Sequence, residues 1–550
     1  MKSDKYASKI LIVTLLLVVL ALVTLIVQST ASRDTLIDEL ASEQVAAAEQ
    51  TLPLTNFDTL DQAGSGVANC RYGVSLFSGT PTSWISTLGS GWYLTFGATP
   101  PAPAPGNNAE FVHVIRVKQD KTSTGVYLPT YTVTPPLTAA GLAALISANP
   151  GALWLVGNEV DRGPDPGQIQ GGQDDTFPEI YATAYHQIYH YIKQRDPAAR
   201  VANSALVQVT PNRLQYLDKV WNAYLNQFGK PMPVDVWNMH LYVLPEVNPA
   251  GNPNGIANVA LGTDPALGKR ESGGNAALCA LDEVYCFAEH DNIAVFGEQV
   301  RAMRLWMKSH GLQNKPLILS EYSLLYPYED DGASCFLQDE FGNCFTPTRV
   351  SSFMQSSFQY LETAKDPALG YPLDDNRLLQ QWLWFSLYTN NEGRVSNLVT
   401  SNGAALTPVG QTFQNHVLNQ PLHQNLVIDS ISAPVSYTGN AATVNVPLSI
   451  TIRNNGNTSV NASFTVTFYS NAAMTKAIGS ATIAPVVRGC ATDSYTATVN
   501  WTGRSPGKHS FWVKVDSGGT IGESNEGDNT GTGVALVNPQ QLSLPVISWR

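Results

Sequence analysis

The run Leu153-Trp154-Leu155-Val156-Gly157-Asn158-Glu159 is a short apolar stretch that ends on a glutamate. A continuous run of this kind reads as a strand buried on both faces of a parallel sheet. A second run, Pro316-Leu317-Ile318-Leu319-Ser320-Glu321, ends the same way. Working outward, apolar runs recur at 72–77, 92–96, 111–117, 152–156, 200–206, 234–243, 316–319 and 378–388, with helical patterns between them. Eight strands in that rhythm predict a (β/α)8 TIM barrel over residues 68–420. Glu159 then follows the fourth strand and Glu321 the seventh. A carboxylate just past a strand sits on the face where such barrels build their sites. Two that face each other are the minimum equipment for cleaving a glycosidic bond. Either acid alone is as often a helix cap or a solvated loop charge; their order along the chain favours the site.

The arrangement resembles the clan-A glycoside hydrolases, the retaining barrels whose acid/base ends strand four and whose nucleophile ends strand seven. The likeness covers roughly residues 68–418. It implies Glu159 as acid/base, Asn158 as a ligand for a substrate hydroxyl, and Glu321 as nucleophile. His240-Leu241-Tyr242 on the sixth strand is similar to the His-x-Tyr that lines the cleft in many members. Trp382-Leu383-Trp384 on the eighth stands where members commonly place a sugar-stacking tryptophan. The segment Leu406-Thr407-Pro408-Val409-Gly410-Gln411 looks like the start of the last helix of such enzymes.

Elementary chemistry supports the same roles. A general acid must hold its proton near neutral pH, and an ionised Glu321 would supply the negative charge that keeps Glu159 protonated. Tyr242 would donate a hydrogen bond to Glu321, against the alternative of plain packing in the barrel mouth. His240 is read equally as a cleft residue and as a structural histidine bonded to a strand carbonyl. One of Trp382 and Trp384 is expected to face the cleft, with Trp384 as the sugar platform. Arg116, at the end of the third strand, is a candidate substrate ligand, with a structural ion pair the somewhat favoured reading. No metal or other cofactor is called for.

The chain has 550 residues, so at least two domains are expected, and its net charge of −12 offers no basic footprint for nucleic acid. Lys2, Lys5 and Lys9 precede an apolar run from Ile10 to Val27 and the small residues Ser29-Thr30-Ala31. Residues 1–31 therefore read as a signal peptide or as an uncleaved transmembrane anchor. Both place the rest of the protein outside the cytoplasm, secreted or held at the cell surface. Residues 32–67 are acidic and alanine-rich, a stalk. Cys279 with Cys286, and Cys335 with Cys344, read as local disulfides in long loops at 244–289 and 322–346. Cys70 and Cys490 are left as free thiols or an interdomain bridge. Ile293, Phe296, Val300, Met303 and Met307 share one helical face and read as core.

Beyond residue 420 the pattern changes to alternation. Val444, Val446, Leu448, Ile450 and Ile452 alternate with polar residues, as do Phe464, Val466 and Phe468, and Phe511, Val513 and Val515. An all-β, immunoglobulin-like sandwich is predicted over 424–537, followed by a tail at 538–550. The segment Ile521-Gly522-Glu523-Ser524-Asn525-Glu526-Gly527-Asp528-Asn529 resembles the end of the bacterial cell-adhesion-related domain, CARDB. Its acidic stretch could bind calcium, although a solvated turn is the commoner reading. Two functions compete: an extracytoplasmic retaining glycoside hydrolase acting on a poly- or oligosaccharide, and a non-catalytic surface protein that holds polysaccharide in the barrel cleft. A transglycosylase using the same residues is a third. Pocket loops assign neither the sugar nor endo against exo action.

Overall fold

The computed structural model describes residues 68–77, 79–164, 168–169, 171, 173–247, 259–270, 284–325, 339, 341–390 and 392–539. The expected leader or anchor at 1–31 and the stalk at 32–67 lie outside these residues. Among the described residues no helix is long and apolar enough to cross a membrane.

The N-terminal part carries the strands β1 (Asn69–Ser75), β2 (Ser90–Leu94), β3 (Glu110–Phe111), β4 (His113–Lys121), β5 (Tyr127–Thr134), β6 (Leu153–Val156), β7 (Arg200–Asn203), β8 (Trp237–His240), β9 (Leu317–Tyr322) and β10 (Gln381–Trp384). They form two sheets, ordered β3-β2-β1-β10-β9-β8 and β5-β4-β6-β7. All pairings are parallel except that of β4 with β5. Among the described residues the sheets meet at one parallel bridge, Ala202 to Val236, and along the segment 110–121. There β3 pairs with β2 while β4 pairs with β6. The third expected strand is thus split in two, and one continuous closed ladder is replaced by two parallel sheets. The antiparallel return strand β5 was not anticipated.

Side-chain parity explains the layering. Trp92, Leu94, Val112, Val114, Leu153, Leu155, Ala202, Val236, Ile318 and Leu383 form one buried cluster between the strands. A Cβ at Gly73 would come within 2.5 Å of the Trp92 ring, so that position must be bare for the indole to fill the space. Alternate residues, among them Tyr72, Val74, Trp154, Val156, Trp382 and Trp384, face the surrounding helices. Helix Ile293–Ser309 buries Phe296, Val300, Met303 and Met307 as its stripe predicts. Helix Pro408–Leu418 starts as expected, with Thr407 capping the Gly410 amide and Pro408 in its first turn.

The C-terminal strands are β11 (Leu426–Ser432), β12 (Val444–Asn454), β13 (Phe464–Tyr469), β14 (Ala477–Ile483), β15 (Tyr495–Arg504), β16 (Gly507–Lys514) and β17 (Thr530–Val537). They make two antiparallel sheets, β11-β12-β15 and β14-β13-β16-β17. Val446, Leu448, Ile450, Phe464, Val466, Phe468, Phe511 and Val513 are buried in a common core. This is the sandwich that the alternation predicts.

The described residues all lie in one compact unit, and its contacts show which end of the sheets the sandwich covers. Cys70, at the start of β1, is joined to Cys490 by a disulfide, so the bridge reading holds. Arg71 donates to both Asp374 and the Asn455 carbonyl. Arg200, at the start of β7, pairs with Glu110 and lies 3.8 Å from Asp493, while Arg488 of the sandwich reaches Glu110 at 3.6 Å. Cys70, Arg71, Glu110 and Arg200 lie at the starts of β1, β3 and β7, so the sandwich sits beneath the N-terminal ends of the strands. Cys286 and Cys344 are also disulfide-bonded; their expected partners, Cys279 and Cys335, lie outside the described residues.

Candidate active site

Both glutamates project from the opposite, C-terminal ends of the strands, each through a local break in regularity. After β6 the chain turns through Gly157 at φ 95° and reaches Glu159 at φ 48°. A left-handed glutamate costs on the order of 1–3 kcal/mol, strain of the kind stored at functional sites. The turn is held by the Glu159 amide donating to the Ala205 carbonyl at 3.1 Å and the Asp174 amide donating to Asn158 at 3.2 Å.

Glu321 depends on a bulge. Against β8 the register runs Met239–Leu319 and then His240–Glu321, and against β10 it runs Trp382–Leu319 and then Trp384–Tyr322. Both neighbours thus place one extra residue in β9, between Leu319 and Glu321. Without it, Glu321 would share the outward parity of Leu317 and Leu319, which pack under the helices. The bulge re-aims the carboxylate to the mouth and turns Tyr322 outward.

The two carboxylates and His240 form one compact group. His240 Nδ1 lies 3.0 Å from Glu159 Oε1 and 3.7 Å from Glu321 Oε2. Tyr242 donates its hydroxyl to Glu321 Oε1 at 2.7 Å. One carboxylate oxygen from each glutamate and one His240 nitrogen all lie within 4.8 Å of one another. Glu159 is 3% exposed and Glu321 7% exposed. The set has the composition and compactness to meet one divalent cation as well as to share a proton.

The electrostatics reverse one expectation. Burial raises Glu159, but the hydrogen bond and charge of His240, with Arg162 and Arg213 behind, hold it below the usual carboxylate value. Burial pushes Glu321 up to about 7; His240 pulls it down, the Glu159 charge adds to the rise, and Tyr242 pulls it down again. Burial lowers His240, and the two glutamates more than offset that. The proton of the resting pair therefore sits with Glu321, not with Glu159, because His240 aims its ring nitrogen at Glu159.

The other candidate residues divide. Trp384 is a correction: Trp382 and Trp384 are two residues apart and share a face, so both point to the helices while Leu383 points inward. Trp384 is fully buried, donates to the Ser396 carbonyl at 2.8 Å and packs against Tyr322. It offers no face to a sugar. Arg116 lies within β4 and pairs with Asp174 at 2.5 Å, with Gln173 at 3.3 Å, the structural ion-pair reading. Asn158 gives its side-chain amide to the same Gln173 at 2.8 Å. It braces the loop behind Glu159.

A buried ion triad escaped the sequence reading. Arg213 pairs with Asp161 and, at 3.2 Å, with Glu246, and all three are fully or almost fully buried. It ties the loop after β6 to the loop after β8 through helix Pro211–Phe228, and so fixes Glu159 relative to His240. Burial raises Asp161 despite its Arg213 partner. An acid two residues beyond Glu159 was the only local signal.

The CARDB family model matches residues 423–533. No curated protein matches the chain. Among solved structures, a GH128 (subgroup I) endo-beta-1,3-glucanase from Amycolatopsis mediterranei in complex with laminarihexaose is 15% identical. That match covers 63% of this chain and 99% of that one, with a TM-score of 0.37. The same enzyme in complex with laminaritriose gives 15%, 63%, 99% and 0.38. A CARDB domain from Pyrococcus furiosus in complex with di-metal ions is 20% identical, covering 22% of this chain and 97% of that one, with a TM-score of 0.18.

Proposed function

We propose that the N-terminal domain is a (β/α)8-type barrel, its wall made of the two sheets, acting as a retaining glycoside hydrolase on a poly- or oligosaccharide. The observation that carries this reading is the approach of the two carboxylates. Oxygens of Glu159 and Glu321 come within 4.8 Å, near the about 5–5.5 Å of retaining pairs and short of the about 6.5–9.5 Å that inversion needs. In the first step a Glu321 oxygen attacks the anomeric carbon, the glycosidic C–O bond breaks, and Glu159 gives its proton to the departing oxygen. In the second, water attacks the anomeric carbon, its proton passes to Glu159, and Glu321 leaves as carboxylate.

The resting proton on Glu321 has to reach Glu159 before the first step. The pair carries one proton and one negative charge in either arrangement, so the shift needs no exchange with solvent. His240, within 3.7 Å of both, is placed to relay it. The same electrostatics favour a second reading in which Glu321 is the acid and Glu159 the nucleophile.

The charged and apolar pattern of residues 1–31 supports an extracytoplasmic location, secreted or anchored. Residues 68–420 and 424–537 are proposed as the two functional domains. Incubating the purified protein with neutral and acidic polysaccharides, and following the anomer by proton NMR, tests the proposal. Release of product with the anomeric configuration kept supports it. Inverted product overturns the mechanism; binding without cleavage favours the alternative, a carbohydrate-holding surface protein.

A further inference from the structure

Three phenylalanines close the barrel mouth on the side away from Glu159. Phe77 follows β1, Phe96 follows β2 and Phe385 follows β10, so all three stand at C-terminal strand ends. Their ring centroids are 5.6 Å apart for Phe77 and Phe96, 5.7 Å for Phe77 and Phe385, and 6.0 Å for Phe96 and Phe385. Phe77 and Phe96 remain partly exposed. The Phe385 amide donates to the Tyr322 carbonyl at 3.0 Å, beside Glu321.

Sheet order turns these positions into a path. The strands run β9-β10-β1-β2, so the rings lie on strands successively farther from Glu321. The rings themselves pack as one cluster, every pair of centroids within 6.0 Å. Beyond Phe77 the path enters a depression of 580 Å³ between the β1 and β2 loops, lined by Phe77, Thr80, Ser83, Thr95, Pro101 and Pro103 among others. No charged side chain among the described residues lines it. Hydroxyls beside apolar faces, without charge, are the chemistry that receives an uncharged sugar ring, whose C–H face meets an aromatic and whose edge hydrogen-bonds.

Backbone strain points the same way. Phe96 has φ 56°, an outlier for a bulky side chain and the kind of strain found at ligand clamps. A Cβ at Gly393 would come within 2.4 Å of the Phe385 ring, so that position must be bare for the ring to hold its place.

We propose that Phe77, Phe96 and Phe385, with the adjoining depression, form a subsite for a neutral polysaccharide chain extending beyond the point of cleavage. This rests on the reading that the glutamate pair acts on glycans, and it adds the substrate class and an extended footprint. The hydroxyl-lined depression receives the distal sugars, the partly exposed Phe77 and Phe96 stack on those nearer the glutamates, and the buried Phe385 backs the two rings.

The test uses the full chain. Affinity is measured by calorimetry in the Glu321→Ala background for neutral gluco-, manno- and xylo-hexasaccharides and for hexagalacturonate as the acidic probe. Phe77→Ala and Phe96→Asn are then added; asparagine tolerates the left-handed backbone, so the second variant removes the ring without adding strain. The preferred neutral hexasaccharide should lose about tenfold in affinity in each variant. In the active background, a short aryl glycoside should be hydrolysed within about twofold of the parent rate. Unchanged hexasaccharide affinity in both folded variants, no binding of any neutral hexasaccharide, or tighter binding of hexagalacturonate overturns the subsite. Neutral chains that bind through the phenylalanines but are never cleaved by the parent protein would overturn the hydrolase reading alone.

Discussion

His240 points its Nδ1 at Glu159 Oε1 from 3.0 Å, across the mouth of the sheets from one strand end to another. That contact decides which glutamate is charged at rest, since without it burial would dominate Glu159 as it dominates Glu321. His240→Ala should therefore raise both carboxyls. Ionisation of the nucleophile would then need a higher pH, and the acidic limb of kcat/KM should move upward. The rate itself should fall by about 10²-fold, the usual size of a lost proton-transfer partner. A pH–rate profile of the variant reads both effects. A lowered rate on an unmoved limb would mean that His240 only packs.

Glu321 carries a stability signature of opposite sign to an ordinary salt-bridged acid. Its folded value, about 7, lies above the 4.5 of a free carboxyl. Its contribution is therefore fully present below about 4.5 and is lost as pH rises through about 7. Glutamine cannot ionise, so Glu321→Gln should melt higher than the parent at pH 8 by several degrees more than it does at pH 5. Thermal unfolding at the two pH values measures this. An equal difference at both would show that Glu321 is already ionised at pH 5.

The strand order and the two glutamates were legible because buried parallel strands leave continuous apolar runs and each acid lies next to its own run. The bulge at Ser320 was not, since one extra residue inside Leu317-Ile318-Leu319-Ser320-Glu321 leaves the run apolar and changes only its parity. Parity also misassigned Trp384. Its side is set by Leu383 facing inward, which only the neighbouring strands determine. The Arg213 triad pairs residues 52 and 33 positions apart, beyond any local pattern. For Cys70 and Cys490 the separation is 420, and no spacing rule reaches that far.

The Cys70–Cys490 bridge closes the largest loop in the described chain, so removing it should release much unfolded-state entropy. The double variant Cys70→Ser, Cys490→Ser should lose about 2–4 kcal/mol of stability. The bridge lies at the strand starts, and the glutamates at the strand ends. Turnover at 25 °C should then stay within about twofold of the parent, while the denaturation midpoint falls. Turnover lost in step with stability would mean that the sandwich supports the mouth directly.

The sharpest prediction separates the two carboxylate roles. A nucleophile that forms the covalent glycosyl-enzyme cannot be replaced by alanine, so Glu321→Ala should abolish turnover of every substrate. Glu159→Ala should cost most where the leaving oxygen needs a proton and least for a dinitrophenyl glycoside, whose departing phenolate is stable without one. With that substrate the first step should stay fast and the second should slow, so the glycosyl-enzyme accumulates and shows an initial burst. A 2-fluoro sugar with an activated leaving group should trap the same intermediate in the parent protein. Peptide mass spectrometry should then find the added sugar on Glu321. A label on Glu159 would reverse the roles, as the resting charges allow, because the group that His240 keeps ionised would then be the attacker. A label on neither, with both alanine variants fully active, would remove the pair from the chemistry altogether.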